Sequence, residues 1–216
     1  MHHGFQLRLA SFGLSFALLV GLGLVAAAPA RAATVQITEF LAGPARDWDG
    51  SGVFSSRDDE WVELRNASGA TLDLSGFLVT DGDSLPRFAL SGTLGPGERR
   101  VVYGRESYDW EKAHGLPAFG LSLGNTGDAV LLWHVDGADT TLVDGYTYHS
   151  HEAAADRSVG RASDAGDWIL FDGLNPYTGS TAPTGTGCDP TPGAFNVCGA
   201  TATRKSTWGA LKTLYR

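Results

Sequence analysis

The residues best placed to do chemistry run from Asp47 to Asp58, reading Asp-Trp-Asp-Gly-Ser-Gly-Val-Phe-Ser-Ser-Arg-Asp. With Asp47 as position 1, oxygen-bearing side chains stand at 1, 3, 5, 9 and 12: Asp47, Asp49, Ser51, Ser55 and Asp58. A hard cation needs six or more oxygens converging on one point, and this spacing is the one by which a twelve-residue loop supplies them to calcium. Gly52 at position 6 permits the sharp turn, the Val53 carbonyl is the expected ligand at position 7, and Phe54 is expected to anchor the loop on the core. The pattern departs from the usual one twice. Ser51 replaces an acid or amide, and Asp58 replaces the bidentate glutamate. The expectation is a weak structural calcium site on Asp47, Asp49, Ser51, Val53, Ser55 and Asp58.

A second candidate is His149-Ser150-His151-Glu152. Two histidines at i and i+2 on a strand face one side and can bind zinc with a carboxylate, whose open position would activate a water. That would make a small metal-dependent hydrolase, but no third ligand stands at a diagnostic distance. Gly120-Leu121-Ser122-Leu123-Gly124 has the G-x-S-x-G spacing of a serine nucleophile, but that motif sits between a strand and a following helix, whereas here a helical stretch precedes it and a strand follows. The expectation is a protein without a catalytic site, with the His149/His151 hydrolase as the alternative.

The 2 cysteines, Cys188 and Cys198, flank a turn-rich stretch near the C-terminus. In an exported chain such a pair reads as one structural disulfide. Export itself is read from residues 1–32. Arg8 opens a run of apolar residues from Leu9 to Val25, which closes on Ala28-Pro29-Ala30-Arg31-Ala32, a small-residue cleavage pattern. Cleavage after Ala32 would release a protein that is secreted or held in the cell envelope, with one domain over residues 33–199. Of 16 basic residues the leader removes two, Arg8 and Arg31, and none of the 24 acidic ones, so the net charge deepens from −8 to −10. An acidic surface repels phosphate backbones, which argues against nucleic acid as the main partner.

Residues 200–216 differ from the rest. Arg204, Lys205, Lys212 and Arg216 make this tail basic, while Trp208, Leu211, Leu214 and Tyr215 recur at helical spacing behind Ser206. An amphipathic helix that meets a membrane, sorting machinery or the acidic domain is expected there.

Positioning these groups falls to short strands. Alternating apolar residues mark Val35-Ile37-Phe40, Trp61–Leu64, Leu72–Leu74 running with Phe77–Val79 across a bend at Gly76, Phe88–Leu90 and Arg100–Tyr103. Ala129–Trp133 and Thr141–Tyr148 flank the turn Asp136-Gly137. Ser107–Ala113 is the one helical stretch, and Tyr177–Gly187 reads as an extended loop. Abundant glycine and short strands at this spacing predict an all-β fold of two packed antiparallel sheets.

Several phrases also occur in a recognisable order. They are Ile37-Thr38-Glu39-Phe40, Asp59-Glu60-Trp61-Val62-Glu63-Leu64-Arg65-Asn66, Asp73-Leu74-Ser75-Gly76-Phe77, Leu94-Gly95-Pro96-Gly97, Leu123-Gly124-Asn125-Thr126-Gly127-Asp128, Val143-Asp144-Gly145-Tyr146 and Thr191-Pro192-Gly193-Ala194-Phe195-Asn196. Their succession resembles a lamin-tail domain of the exported bacterial kind, over about Thr34 to Asn196. The resemblance implies an immunoglobulin-like antiparallel β-sandwich and a binding or interaction role at the cell surface. The Asp47–Asp58 loop would be an insertion similar to the EF-hand loops of dockerin modules, which also end in aspartate.

Overall fold

The computed structural model describes residues 35–198. The expected signal peptide (1–32) and the amphipathic tail (200–216) lie outside the described residues.

Among the described residues, eleven strands, one helix and one 3-10 turn follow one another: β1 (Val35–Leu41), β2 (Trp61–Asn66), β3 (Leu72–Asp73), β4 (Phe77–Thr80), β5 (Pro86–Ala89), β6 (Thr93–Leu94), β7 (Arg99–Tyr103), α1 (Gly104–Ala113), β8 (Gly127–Asp136), β9 (Asp139–His149), β10 (Ser158–Arg161), the turn Ala162–Asp164 and β11 (Trp168–Phe171). One sheet has the order β11-β10-β1-β2-β7 and the other β5-β4-β8-β9, with every pairing antiparallel. A two-stranded ribbon joins β3 to β6. This is the expected all-β, immunoglobulin-like sandwich.

The core follows from alternation along the strands. In β2, Val62 and Leu64 join the buried apolar cluster while Glu63 between them takes polar partners. Ile37 and Phe40 both belong to that cluster although they stand three apart, a spacing wrong for a period of two. A bulge between Ile37 and Glu39 absorbs the extra residue, pairing Ile37 with Leu64 and Phe40 with Val62. From the second sheet come Phe77, Val79, Phe88, Val130, Leu132 and Tyr148, with Tyr148 tilted against Phe40 at 5.0 Å between ring centroids.

Three expectations about elements need correction. The stretch expected as one bent strand, Leu72–Val79, is two: β3 joins the small ribbon and β4 the four-stranded sheet. The helix begins at Gly104 rather than Ser107, running straight on from β7. Strands β6, β10 and β11 add to those expected; in β10, Ser158-Val159-Gly160-Arg161 carries a single apolar residue.

Helix α1 is held by its own buried polar groups. Ser107 Oγ donates to the carbonyl of Arg87 in β5 at 2.8 Å. The buried Glu111 carboxylate accepts from Phe119 N (2.6 Å), Gly120 N (2.7 Å) and Arg87 Nη1 (3.2 Å). Arg87 also holds Asp81 and the exposed Asp83, so the Asp81-Gly82-Asp83 turn is tied to a buried ionic cluster of Asp81, Arg87 and Glu111.

Candidate cation-binding loop

The connection from β1 to β2 folds back on the sandwich, where two buried carboxylates fasten it. Asp156, held at a positive φ of 52°, accepts from Ala45 N (2.9 Å), Arg46 Nε (2.9 Å) and Trp48 Nε1 (2.8 Å). The Trp48 ring lies 6.1 Å from that of Trp61, the first residue of β2. Asp59 is fully buried; its Oδ1 accepts from Trp48 N (2.6 Å) and Asp49 N (2.9 Å), its Oδ2 from Ser55 N (2.7 Å). The far end is seated on the β7–α1 junction, where Gly104 N donates to Glu60 O at 2.8 Å and Arg105 N to Asp58 O at 3.1 Å. A Cβ on Gly104 would collide with the Arg57 carbonyl, so only glycine allows this approach.

Within the loop the expected oxygens behave as follows. Asp47 accepts from Ser51 N (3.1 Å) and Gly52 N (2.7 Å), and Asp49 accepts from Ser51 N (2.8 Å). Gly52 takes the sharp turn at φ 86°. Ser51 Oγ donates to the Val53 carbonyl (3.2 Å), and Ser55 Oγ accepts from Asp58 N (3.2 Å). Carboxylate oxygens of Asp47, Asp49 and Asp59 lie within 4.8 Å of one another. The acid that meets the first two is thus Asp59, one residue later than the spacing implied. Asp58 instead pairs with Arg57 (2.7 Å) and Arg105 (3.8 Å). Phe54, expected as an anchor, is 50 % exposed, and Trp48 takes that role.

Three carboxylates this close repel by about 1 kcal/mol per pair even at the dielectric constant of water, and by more where they are partly buried. Partial burial raises the Asp49 carboxyl, but hydrogen bonds from Ser51 outweigh it and hold the group below its usual range. Burial raises the Tyr103 phenol nearby, and the charges of Asp49, Asp59 and Glu63 raise it further. The cluster is therefore an anionic site, with an exposed Asp47, a half-buried Asp49 and a buried Asp59.

The histidines form no such group. His149 and His151 rings lie near-parallel at 6.4 Å, and His151 rests on Tyr177 at 4.8 Å. Glu152, the neighbouring carboxylate, spends one oxygen on the Tyr146 hydroxyl and the other on His149 N, both at 2.7 Å. Among the described residues, the Asp47–Asp49–Asp59 cluster is the grouping of three potential ligands that converges. Cys188 and Cys198 are bonded, with Cα atoms 5.6 Å apart, as expected.

A family model for the lamin tail domain matches residues 28–150, from the segment before β1 to the end of β9. No curated protein matches the chain. Strands β10 and β11 and the disulfide loop lie beyond the matched stretch, yet β10 pairs with β1 in the middle of the larger sheet. On the matched residues and the sandwich they build, the chain belongs to the lamin tail domain family.

Proposed function

We propose that the protein is a non-catalytic binding or structural module working outside the cytoplasm, its β1–β2 loop stabilised by calcium. Lamin tail domains are immunoglobulin-like modules without enzymatic machinery of their own. The observation that carries the calcium reading is the meeting of Asp47, Asp49 and Asp59 in a loop with ligand spacing and a turning glycine. Their oxygens, with the Ser51 and Ser55 hydroxyls and the Val53 carbonyl, make an all-oxygen set of the kind calcium takes. Three carboxylates place the affinity among extracellular modules, about 0.1–1 mM, so the ion is structural rather than a signal.

The pinned loop presents Val53 and Phe54, 71 % and 50 % exposed, as the apolar tip for a partner at the cell surface. The basic tail supplies a second contact, to a membrane or sorting machinery. Calcium titration by calorimetry separates the candidate ligands. Asp59→Asn and Asp49→Ala are expected to abolish binding, whereas Asp58→Asn leaves it within about twofold. Equal losses at Asp58 and Asp59 would show a different ligand set, and no heat in the wild type would remove calcium from the account.

A further inference from the structure

Across the larger sheet, on the face away from the core, lies a strap made of residues Thr191–Asn196. It docks on a row of buried polar groups. Glu39 of β1 and Glu63 of β2 stand opposite each other in register, and both are fully buried. Thr191 N donates to both oxygens of Glu39 (3.0 and 3.2 Å), and Gly193 N donates to Glu63 Oε2 at 2.7 Å. Asn196 N donates to Asp164 Oδ1 at 2.9 Å. The strap lies so close that a Cβ on Gly160 of β10 would stand 2.9 Å from both Asn196 Nδ2 and Glu39 Cγ.

The protons in this network can be counted. Asn196 Nδ2 donates to the carbonyls of Thr38 and Arg161, both at 2.9 Å, which turns its Oδ1 toward Thr191 Oγ1 at 3.1 Å. Thr191 Oγ1 also touches Glu39 Oε2, and Ser158 Oγ touches Glu39 Oε1. That makes three oxygen–oxygen contacts: Ser158 to Glu39, Glu39 to Thr191, Thr191 to Asn196. The two hydroxyls bring one proton each, and Asn196 Oδ1 brings none. With Glu39 ionised, one contact would set two lone pairs against each other. With a proton on Glu39 Oε2, that carboxyl donates to Thr191 Oγ1, Thr191 donates to Asn196 Oδ1, and Ser158 donates to Glu39 Oε1. Every contact is then a hydrogen bond.

We propose that Glu39 is a neutral carboxylic acid while the strap is seated, and that losing its proton frees the strap, which makes Thr191–Asn196 a pH-sensitive latch. Burial acts in the same direction, pushing the Glu39 carboxyl up to about 7 against its hydrogen bonds from Ser158 and Thr191, with the Glu63 charge adding to the rise. The other charged groups around it face opposite charges, although burial raises the Glu63 carboxyl as well. Glu63 accepts from Thr38 Oγ1 (2.6 Å) as well as from Gly193 N, and has Arg99 of β7 at 3.5 Å. Asp164 is held by Arg99 and faces Arg65 at 3.7 Å. Arg161 of β10 pairs with Asp144 of β9. Glu39 is the member on which the network's missing proton sits. Because the Cys188–Cys198 bond closes the segment, the strap lifts as one loop.

The sign follows from linkage. A carboxyl whose value is raised in the closed state favours closure fully below its open-state value, near 4.5, and loses that contribution as pH climbs to about 7. The test is hydrogen exchange at the amides of Thr191 and Asn196 in the full chain, corrected for intrinsic rates, from pH 4.5 to 8.5. Strap opening is expected to rise by up to about tenfold per pH unit to near 7 and then level off. Glu39→Gln, whose amide donates to Thr191 while its carbonyl accepts from Ser158, is expected to collapse that slope. A carbon-13 titration of the wild-type Glu39 carboxyl decides the matter even if the variant fails to fold. A midpoint near 4.5, a flat wild-type profile, or an unchanged slope in Glu39→Gln would each overturn the latch.

Discussion

At the scale of single residues, neighbouring acids with similar sequence credentials do unequal work. Asp59 satisfies three backbone amides and is buried, while Asp58 makes surface ion pairs. Asp59→Ala leaves three N–H groups without their acceptor and is expected to cost about 3 kcal/mol in urea denaturation. Asp58→Ala is expected to cost under about 1 kcal/mol. Similar losses for the two would contradict the assignment of Asp59 as the fastening of the loop. The spacing from Asp47 made the convergence of Asp47 and Asp49 and the turning glycine legible, because these are local in sequence. The closing acid was not legible, since the end of the loop is set by where the chain meets Gly104 and β2. Glu39 was readable only as part of a strand; its partners Ser158 and Thr191 are distant in sequence and come to it through the fold.

Between the elements, the β1–β2 loop and the strap both depend on close backbone approaches that a side chain would block. Gly104→Ala forces the Arg57 carbonyl away from the β7–α1 junction and is expected to destabilise by about 2–3 kcal/mol, as overpacking does. Trp48 and Trp61 offer a fluorescence readout of the displaced loop, and an unchanged spectrum with unchanged stability would refute the point. The strap depends in addition on its disulfide. Opening Cys188–Cys198 with Ser substitutions is expected to cost about 3 kcal/mol in the chain-entropy model. Exchange protection should fall first at Thr191 and Gly193. Alternation alone located most strands. It failed at β10, where Gly160 leaves room for the strap instead of carrying a side chain, and at Gly76, where a bend proved to be a change of sheet.

At the scale of the whole molecule, the chain is an acidic sandwich of the lamin tail domain family. All 24 acidic side chains fall between Glu39 and Asp189, and four of the 16 basic ones, Arg204, Lys205, Lys212 and Arg216, follow Cys198. Nitrophenyl ester, phosphodiester and peptide reporters are expected to remain uncleaved with zinc or calcium added. Turnover that disappears in His151→Ala would instead establish the hydrolase. The measurement that tests the central claim most directly is a thermal melt of the purified chain in calcium and in chelator. On that claim the ion would bind only the folded loop, so 10 mM calcium at a dissociation constant of about 0.1–1 mM is expected to add roughly 1.4–2.7 kcal/mol. That should raise the Tm by several degrees in the wild type and leave Asp49→Ala unmoved. A wild-type Tm that is the same in calcium and in chelator would contradict the account.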